Sequence, residues 1–224
     1  MRIVVLCVGL LFATLALSNK LVDTSPTDIK LESFGAAALA NDDAAMKRHM
    51  ADPAFAKLVD SDGHSALFVA AHVGRTDLAA QLVASGADIN LHDPTGATAL
   101  FFASANGQAL MVQWLIDHGA HIVNGGNYAP LKVASMSGHT EVVRILIKEG
   151  ALLFAAMPVT QSSEALDVSV AGGRADVVRL LLDTPEAKRM PEEQVSRLKK
   201  IALGRKDPVI LEVIQKFEMA RSNE

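Results

Sequence analysis

GADINLHDPTGATALFFASANG, residues 86–107, holds a Gly-Ala pair, a polar turn, a Thr-x-Leu, a run of small residues and a closing glycine. What it means depends on whether it recurs. Aligned on Leu100, a leucine holds the same place upstream at Leu67 and downstream at Leu131 and Leu166. Gly74, Gly107, Gly138 and Gly173 keep step, as do the pairs Gly86-Ala87, Gly119-Ala120 and Gly150-Ala151. A period of about 33 residues marks a repeat architecture and fixes the frame in which every other motif is read.

Each period reads as two short helices joined by a turn. Ser65 and Thr98 precede an apolar run, where a side-chain oxygen can cap free N–H groups. Pro130 suits a first helical turn, where its missing N–H costs little. Ala70 and Ala71 are small, so neighbouring helices can approach closely, and Gly74 supplies a left-handed stop. Leu78, Leu82 and Val83 then recur at helical spacing. Gly86 ends that second helix, and Asp88-Ile89-Asn90 leads into an extended turn. One such unit cannot bury its own apolar face, so roughly three or more must stack.

The pattern resembles the ankyrin repeat. The resemblance is carried by Asp60-x-x-Gly63 and Asp93-x-x-Gly96 at the turn, and by Ala129-Pro130-Leu131-Lys132 where the family has Thr-Pro-Leu-His. Ala70-Ala71, Gly138-His139 and the run from Val142-Val143 to Leu146-Ile147 complete it. The implied fold class is all-α, an ankyrin-repeat α-solenoid of stacked helix-turn-helix units with short hairpin turns. Residues 19–33 read as a linker, 34–184 as the repeats and 185–224 as a helical C-terminal cap. Phe34 to Met50 reads as a degenerate cap repeat with Asn41 in the glycine slot. Val195 to Phe217 reads as a last helix pair split at Leu203-Gly204-Arg205, with Pro185 to Pro191 as a polar linker before it. The pattern departs from the family in three places. Gly125-Gly126-Asn127-Tyr128 replaces the turn Asp and Gly of the third repeat, an apolar stretch over 151–164 leads into the fourth, and Phe101 and Asp167 fill the slot of the family's His.

Of the 224 residues, 50% are hydrophobic and 21% charged, which is enough for a core and too apolar for a disordered chain. A formal net charge of -4 provides no basic field for nucleic acid. After Arg2, Ile3–Leu17 is an uncharged apolar run, shorter than the roughly 20 residues that cross a bilayer as a helix. Ala16 and Ser18 are small residues suited to cleavage, so residues 1–18 read as a secretory signal peptide, with an uncleaved N-terminal membrane anchor as the rival. Cys7, the single cysteine, lies inside that segment, so a processed chain would have no disulfide and no thiolate chemistry. None of the asparagines sits in an Asn-x-Ser/Thr acceptor, which fits a bacterial periplasm.

No residue set in the sequence carries catalysis. Gly63-His64-Ser65-Ala66-Leu67 has the look of a nucleophile elbow but lacks the closing glycine and a preceding strand. His118-x-x-His121 offers two imidazoles, too few for a closed metal site. Asp42-Asp43 and Glu192-Glu193 suit helix starts, where the dipole favours acids. Trp114, among Leu110, Leu115 and Ile116, reads as core.

The ankyrin resemblance implies recognition of another protein through a concave face lined by the turns and the outer positions of the first helices. By register that face takes Asp62, His64, His72 and Val73 from the first full repeat, and Thr95, Ala97, Ala105 and Asn106 from the second. The third supplies Tyr128, Met136 and Ser137, and the fourth Gln161, Ser163 and Ala171. Tyr128 is the single tyrosine, a polar-tipped aromatic of the kind that anchors interfaces, and Met136 is an adaptable apolar contact. The expected protein is an exported, monomeric, non-enzymatic scaffold with no cofactor and no metal. Its partner would be a periplasmic or membrane-associated protein, such as a stress-defence enzyme it supports or a toxic effector it neutralises. Membrane contact would come only through the N-terminal segment. The alternative is a metal- or ligand-binding module using His64 and His72.

Overall fold

The computed structural model describes residues 25–122, 129–151 and 164–222. Their regular structure is α-helix, apart from one 3-10 turn at Phe55–Lys57 and two isolated β-bridges, Val59 with Ser65 and His92 with Thr98. The chain divides into two compact units after His121.

The first unit holds α1 (Pro26–Leu39), α2 (Asp43–Met50), α3 (Ala66–Val73), α4 (Thr76–Ala84), α5 (Ala99–Ala105) and α6 (Ala109–Asp117). The first helices α1, α3 and α5 stack in sequence, and α4 and α6 lie behind them with a smaller mutual contact. Ala70, Ala71 and Ala103 are fully buried, so the backbones of the first helices approach without large side chains between them. Phe34, Leu67, Phe68, Leu82, Leu100, Met111 and Leu115 fill the space around them. Each such side chain contributes about 1.5–3 kcal/mol when withdrawn from water.

Helix α1 starts inside the span expected as a linker. The Ser25 hydroxyl accepts the Asp28 N–H at 3.1 Å, and the Asp28 carboxylate accepts the Ser25 N–H at 3.2 Å, a reciprocal capping box. Pro26 fits the first turn, and Leu31 and Phe34 bury one face. The cap repeat therefore begins at Ser25. Asn41 takes the left-handed conformation (φ 54°) that Gly74 takes one repeat later (φ 78°), as its place in the glycine slot implies. Thr98 caps α5 through its hydroxyl, 3.3 Å from the Phe101 nitrogen. Ser65 departs from this. Its hydroxyl is buried and has no hydrogen-bond partner among the described residues, because the Phe68 N–H bonds to the Ser65 carbonyl instead, at 3.0 Å.

The second unit holds α7 (Pro130–Ser137), α8 (Thr140–Lys148), α9 (Glu164–Gly172), α10 (Ala175–Leu182), α11 (Pro185–Lys188), α12 (Glu192–Arg205) and α13 (Pro208–Ser222). Helix α9 packs against α7 and α12, and α10 against α8 and α13, so the last helix pair continues both layers. Val195, Leu198, Ile210 and Ile214 are the apolar residues that α12 and α13 turn inward. Two expectations are corrected here. The polar linker at 185–191 contains a one-turn helix: the Thr184 hydroxyl accepts the Ala187 N–H at 3.3 Å, and Ala187 and Met190 are buried. The break between the last helices falls at Lys206 (φ 57°), beyond Gly204, which stays helical. Pro208 cannot continue a helix, and Asp207 caps the Ile210 N–H at 3.2 Å, so the residues just past the stop set its place. The turn Gly125–Tyr128 and the apolar stretch over 152–163 lie outside the described residues. Among the described residues, no helix is long and apolar enough to cross a membrane.

One joint recurs within both units. The residue after a glycine of the repeat register, a loop glycine at Gly107 and Gly173 and a helical one at Gly204, reaches back one repeat to a carbonyl at the end of the preceding first helix, a group the helix itself leaves without a donor. Gln108 Nε2 donates to the His72 carbonyl at 3.1 Å, Arg174 Nε to that of Met136 at 3.1 Å, and Arg205 to that of Ala171. Each reaching side chain crosses the previous glycine. A Cβ on Gly74 would stand 2.4 Å from Gln108 Oε1, one on Gly138 2.9 Å from Arg174 Cδ, and one on Gly173 2.6 Å from an Arg205 nitrogen. The loop glycine therefore both ends the helix and makes room for the next repeat.

Candidate partner-binding face

The hairpin turns of the first unit share one construction. Asp60 Oδ1 accepts the N–H groups of Asp62 at 3.0 Å and His64 at 2.7 Å. Asp93 Oδ1 accepts those of Thr95 at 2.8 Å and Ala97 at 2.9 Å, and the Thr95 hydroxyl at 2.6 Å. An aspartate suits this place because its short side chain folds back onto the next amides of its own chain. The two turns are pressed together, since a Cβ on Gly63 would stand 2.5 Å from Pro94 Cδ. On the other side, Asp28 Oδ1 accepts the Ser61 N–H at 2.8 Å, and that bond holds the Asp28 carboxyl below its ordinary pKa.

His64 lies between the turns. Its Nδ1 is 3.5 Å from Asp60 Oδ2, its Nε2 is 3.8 Å from Asp93 Oδ2, and its side chain is 14% exposed. Its ring meets Phe102 edge-on at 5.9 Å and Phe68 at 6.0 Å. The hydrogen bond with Asp60 raises the His64 pKa, and burial opposes that rise. Beyond the turns, His72 lies in the last turn of α3 and Asn106 follows α5. Asn106 Nδ2 stands 3.0 Å from His72 Nδ1 and also donates to the Phe102 carbonyl at 2.8 Å. Burial lowers the His72 pKa, which favours the neutral ring that can accept at Nδ1.

The predicted face divides accordingly. Asp62 and Thr95 are exposed at the turn tips, and His72, Val73, Ala105 and Asn106 are half-buried at the first-helix ends. His64 is committed to the two turn aspartates. Ala97 is 1% exposed and lies beneath the face, because the Asp93 carboxylate draws its amide inward. In the second unit Met136 and Ser137 are half-buried at the end of α7, and Ala171 is half-buried near the end of α9. Tyr128, Gln161 and Ser163 lie outside the described residues. Trp114 is half-exposed, not core, and stacks on His118 at 4.0 Å between ring centroids and 21° between planes. The reason is its place on the outer side of α6, while Met111, Val112 and Leu115 face inward. His118 Nδ1 is 2.7 Å from the Trp114 carbonyl, and the His121 N–H donates to Asn90 Oδ1 at 2.8 Å. Among the described residues, no three His, Cys, Asp or Glu side chains form a group that could hold a metal.

Sequence reasoning missed the bridge from His64 to both aspartates and the reach-back joint. Both had a signal in the register. Asp60 and Asp93 stand one period apart with an imidazole near the first, and a long polar side chain follows Gly107, Gly173 and Gly204.

Comparison with known proteins gives the same frame. A model of three ankyrin repeats matches residues 34–125, and a model of a single ankyrin repeat matches 126–156. The chain belongs to the ankyrin-repeat family. Mouse protein fem-1 homolog A-like is 31% identical over 94 residues, 42% of this chain and 14% of that protein. The E3 ubiquitin-protein ligase XBAT32 of Arabidopsis thaliana is 38% identical over 91 residues, 38% of this chain and 18% of that protein. Rat ankyrin repeat and SAM domain-containing protein 6 is 35% identical over 100 residues, 42% of this chain and 11% of that protein. The chain thus spans less than a fifth of these curated relatives. The crystal structure of the human ASB11 ankyrin repeat domain superposes with a TM-score of 0.70 at 24% identity, over 82% of each chain, a likeness of fold. Ankyrin repeats generally serve as protein–protein interaction scaffolds.

Proposed function

We propose that this ankyrin-repeat chain is a non-enzymatic, exported scaffold that binds one partner protein through its turn tips and first-helix ends. One observation carries the reading. Asp60, Asp93, Gln108 and the small helix residues are committed to the frame, while Asp62 and Thr95 reach the surface at adjoining turns and Val73 and the His72–Asn106 pair reach it at the first-helix ends. Charge narrows the partner. Residues 25–121 hold 5 Lys/Arg against 11 Asp/Glu, a net -6, so the first unit favours a partner with a basic face. The apolar run Ile3–Leu17 after Arg2 supports export, and with it a periplasmic partner. A secreted enzyme that the scaffold supports fits, as does a toxic effector that it neutralises as an immunity protein.

The binding claim is tested by affinity capture with Val73→Asp combined with Asn106→Ala. Partner yield should fall at least tenfold while the circular dichroism of the chain is unchanged, and equal yield refutes the site. The export claim is tested by fractionation with mass spectrometry of the N-terminus. A soluble exported chain beginning near Leu17 or Asn19 supports it, an intact N-terminus in the membrane fraction makes the protein an anchored scaffold, and an intact chain in the cytosol refutes it.

A further inference from the structure

We propose that His64 is a proton-operated latch between the hairpin turns of the first two full repeats, closed when the imidazole is charged and released when it is neutral. The latch rests on the proposed binding face only in this respect: the turns it joins carry Asp62 and Thr95.

The argument starts from hydrogen-bond capacity. Each turn aspartate spends Oδ1 on its own turn amides, and both Oδ2 atoms stand at the imidazole, 3.5 Å from Nδ1 for Asp60 and 3.8 Å from Nε2 for Asp93. A neutral imidazole has one N–H and one lone pair, so it can serve one carboxylate and must present its lone pair to the other. The imidazolium carries an N–H on both nitrogens and a full positive charge, so it keeps Asp60 as a hydrogen-bond partner and attracts the Asp93 carboxylate as an ion pair at 3.8 Å. Protonation therefore adds an attraction to the next turn, through Asp93, that the neutral ring lacks.

The surroundings keep that difference from being screened away. The His64 side chain is 14% exposed and that of Asp93 7%, and charges withdrawn from solvent interact more strongly than surface pairs. The groups around the ring come from every packed element. Asp60 and Asp62 lie on its own turn, Asp93 on the next, Phe68 on α3 and Phe102 on α5. His92 sits beyond Asp93, with its Nδ1 3.1 Å from the Asp93 carbonyl oxygen. Three carboxylates favour the charged ring, in the same sense as its raised pKa. The Asp93 link is the one at stake, because Asp60 lies in the same turn as His64 and stays nearby whichever nitrogen carries the proton.

The sign follows from linkage. The folded-state pKa of His64 is raised above 6.5, so its contribution is fully present below pH 6.5 and is lost as pH rises through the folded value. His72 and His49 are lowered by burial and act in the opposite sense, losing their contribution as pH falls below 6.5. Global stability against pH mixes the three, so the decisive reading is taken at His64 itself.

The experiment is a proton–carbon NMR titration of the histidine Cε1 groups in the full chain without any partner, assigned with His64→Gln. The His64 midpoint should lie above 6.5 and move down in Asp93→Asn, which keeps an Oδ1 acceptor for the turn amides and removes the charge at Oδ2. The Thr95 and Ala97 amides should shift with that same midpoint in the wild type and lose the step in His64→Gln. A His64 midpoint at or below 6.5, a midpoint unmoved by Asp93→Asn, or the same amide step in His64→Gln overturns the latch. If His64→Gln does not fold, the Asp93→Asn midpoint decides alone. Because the titration uses the chain by itself, its failure is distinct from failure of the capture experiment that tests partner binding.

Discussion

An alanine at Gly74 should cost about 1 kcal/mol more than an alanine at Gly96, the net worth of one hydrogen bond. Both glycines have positive φ, 78° and 91°, so each substitution forces a Cβ into the left-handed region at about 1–2 kcal/mol. At Gly96 nothing lies within 4 Å of the added atom, and the cost stops there. At Gly74 the added Cβ would stand 2.4 Å from Gln108 Oε1 and 2.6 Å from its Cδ. The amide must leave, and the His72 carbonyl loses the donor now 3.1 Å away. Urea unfolding followed by circular dichroism should therefore place Gly74→Ala about 2–3 kcal/mol below wild type and Gly96→Ala about 1–2 kcal/mol below, with unchanged slopes. The double variant with Gln108→Ala should recover the excess as a coupling of about 1 kcal/mol. Equal costs at the two glycines, or strict additivity of Gly74→Ala with Gln108→Ala, would refute the reach-back joint.

Three further outcomes are expected. The wild-type advantage in melting temperature over His64→Gln should be largest at about pH 5.5 and shrink by about pH 8.5, and a constant difference contradicts the charged bridge. Asn41→Ala should destabilise by about 1 kcal/mol, whereas Asn41→Gly should be neutral or slightly stabilising, because the site is left-handed (φ 54°); thermal melts separate the two. Leu110, 84% exposed, stands where the other second helices carry Asp77, Glu141 and Asp176 in the first turn. Leu110→Glu should stabilise by about 0.3–1 kcal/mol through the helix dipole, read by urea unfolding, and leave partner capture unchanged.

The repeat was legible because it is written in backbone-forced residues. The loop glycines need positive φ, the turn aspartates need a short back-folding side chain, and the buried alanines need close helix approach, so each leaves a residue type at a fixed spacing. The ends were less legible because no period governs them. Ser25-Pro26 opens α1 in a span too polar to stand out, and the stop at Lys206 is set by Pro208 and Asp207, not by the nearer Gly204. Ser65 looked like a cap equivalent to Thr98, but cap geometry depends on which acceptor the Phe68 N–H takes, and one residue's identity does not decide that. For the proposed face, register picked out Asp62, Thr95, His72 and Asn106 by their place in the repeat, and the structure puts His72 and Asn106 in contact. Register could not show that His64 is held by two turns, since Asp93 comes from the next repeat and its pairing depends on how closely the turns stack.

The central claim, that the turn and first-helix face binds a protein, is tested most directly by site-specific photo-crosslinking in the native host. p-Benzoylphenylalanine is placed at Val73, at the end of α3, or at Gln81, on the exposed side of α4. The account predicts a discrete covalent adduct from Val73 and none from Gln81. An adduct from Gln81 with none from Val73, or no adduct from either, would contradict it.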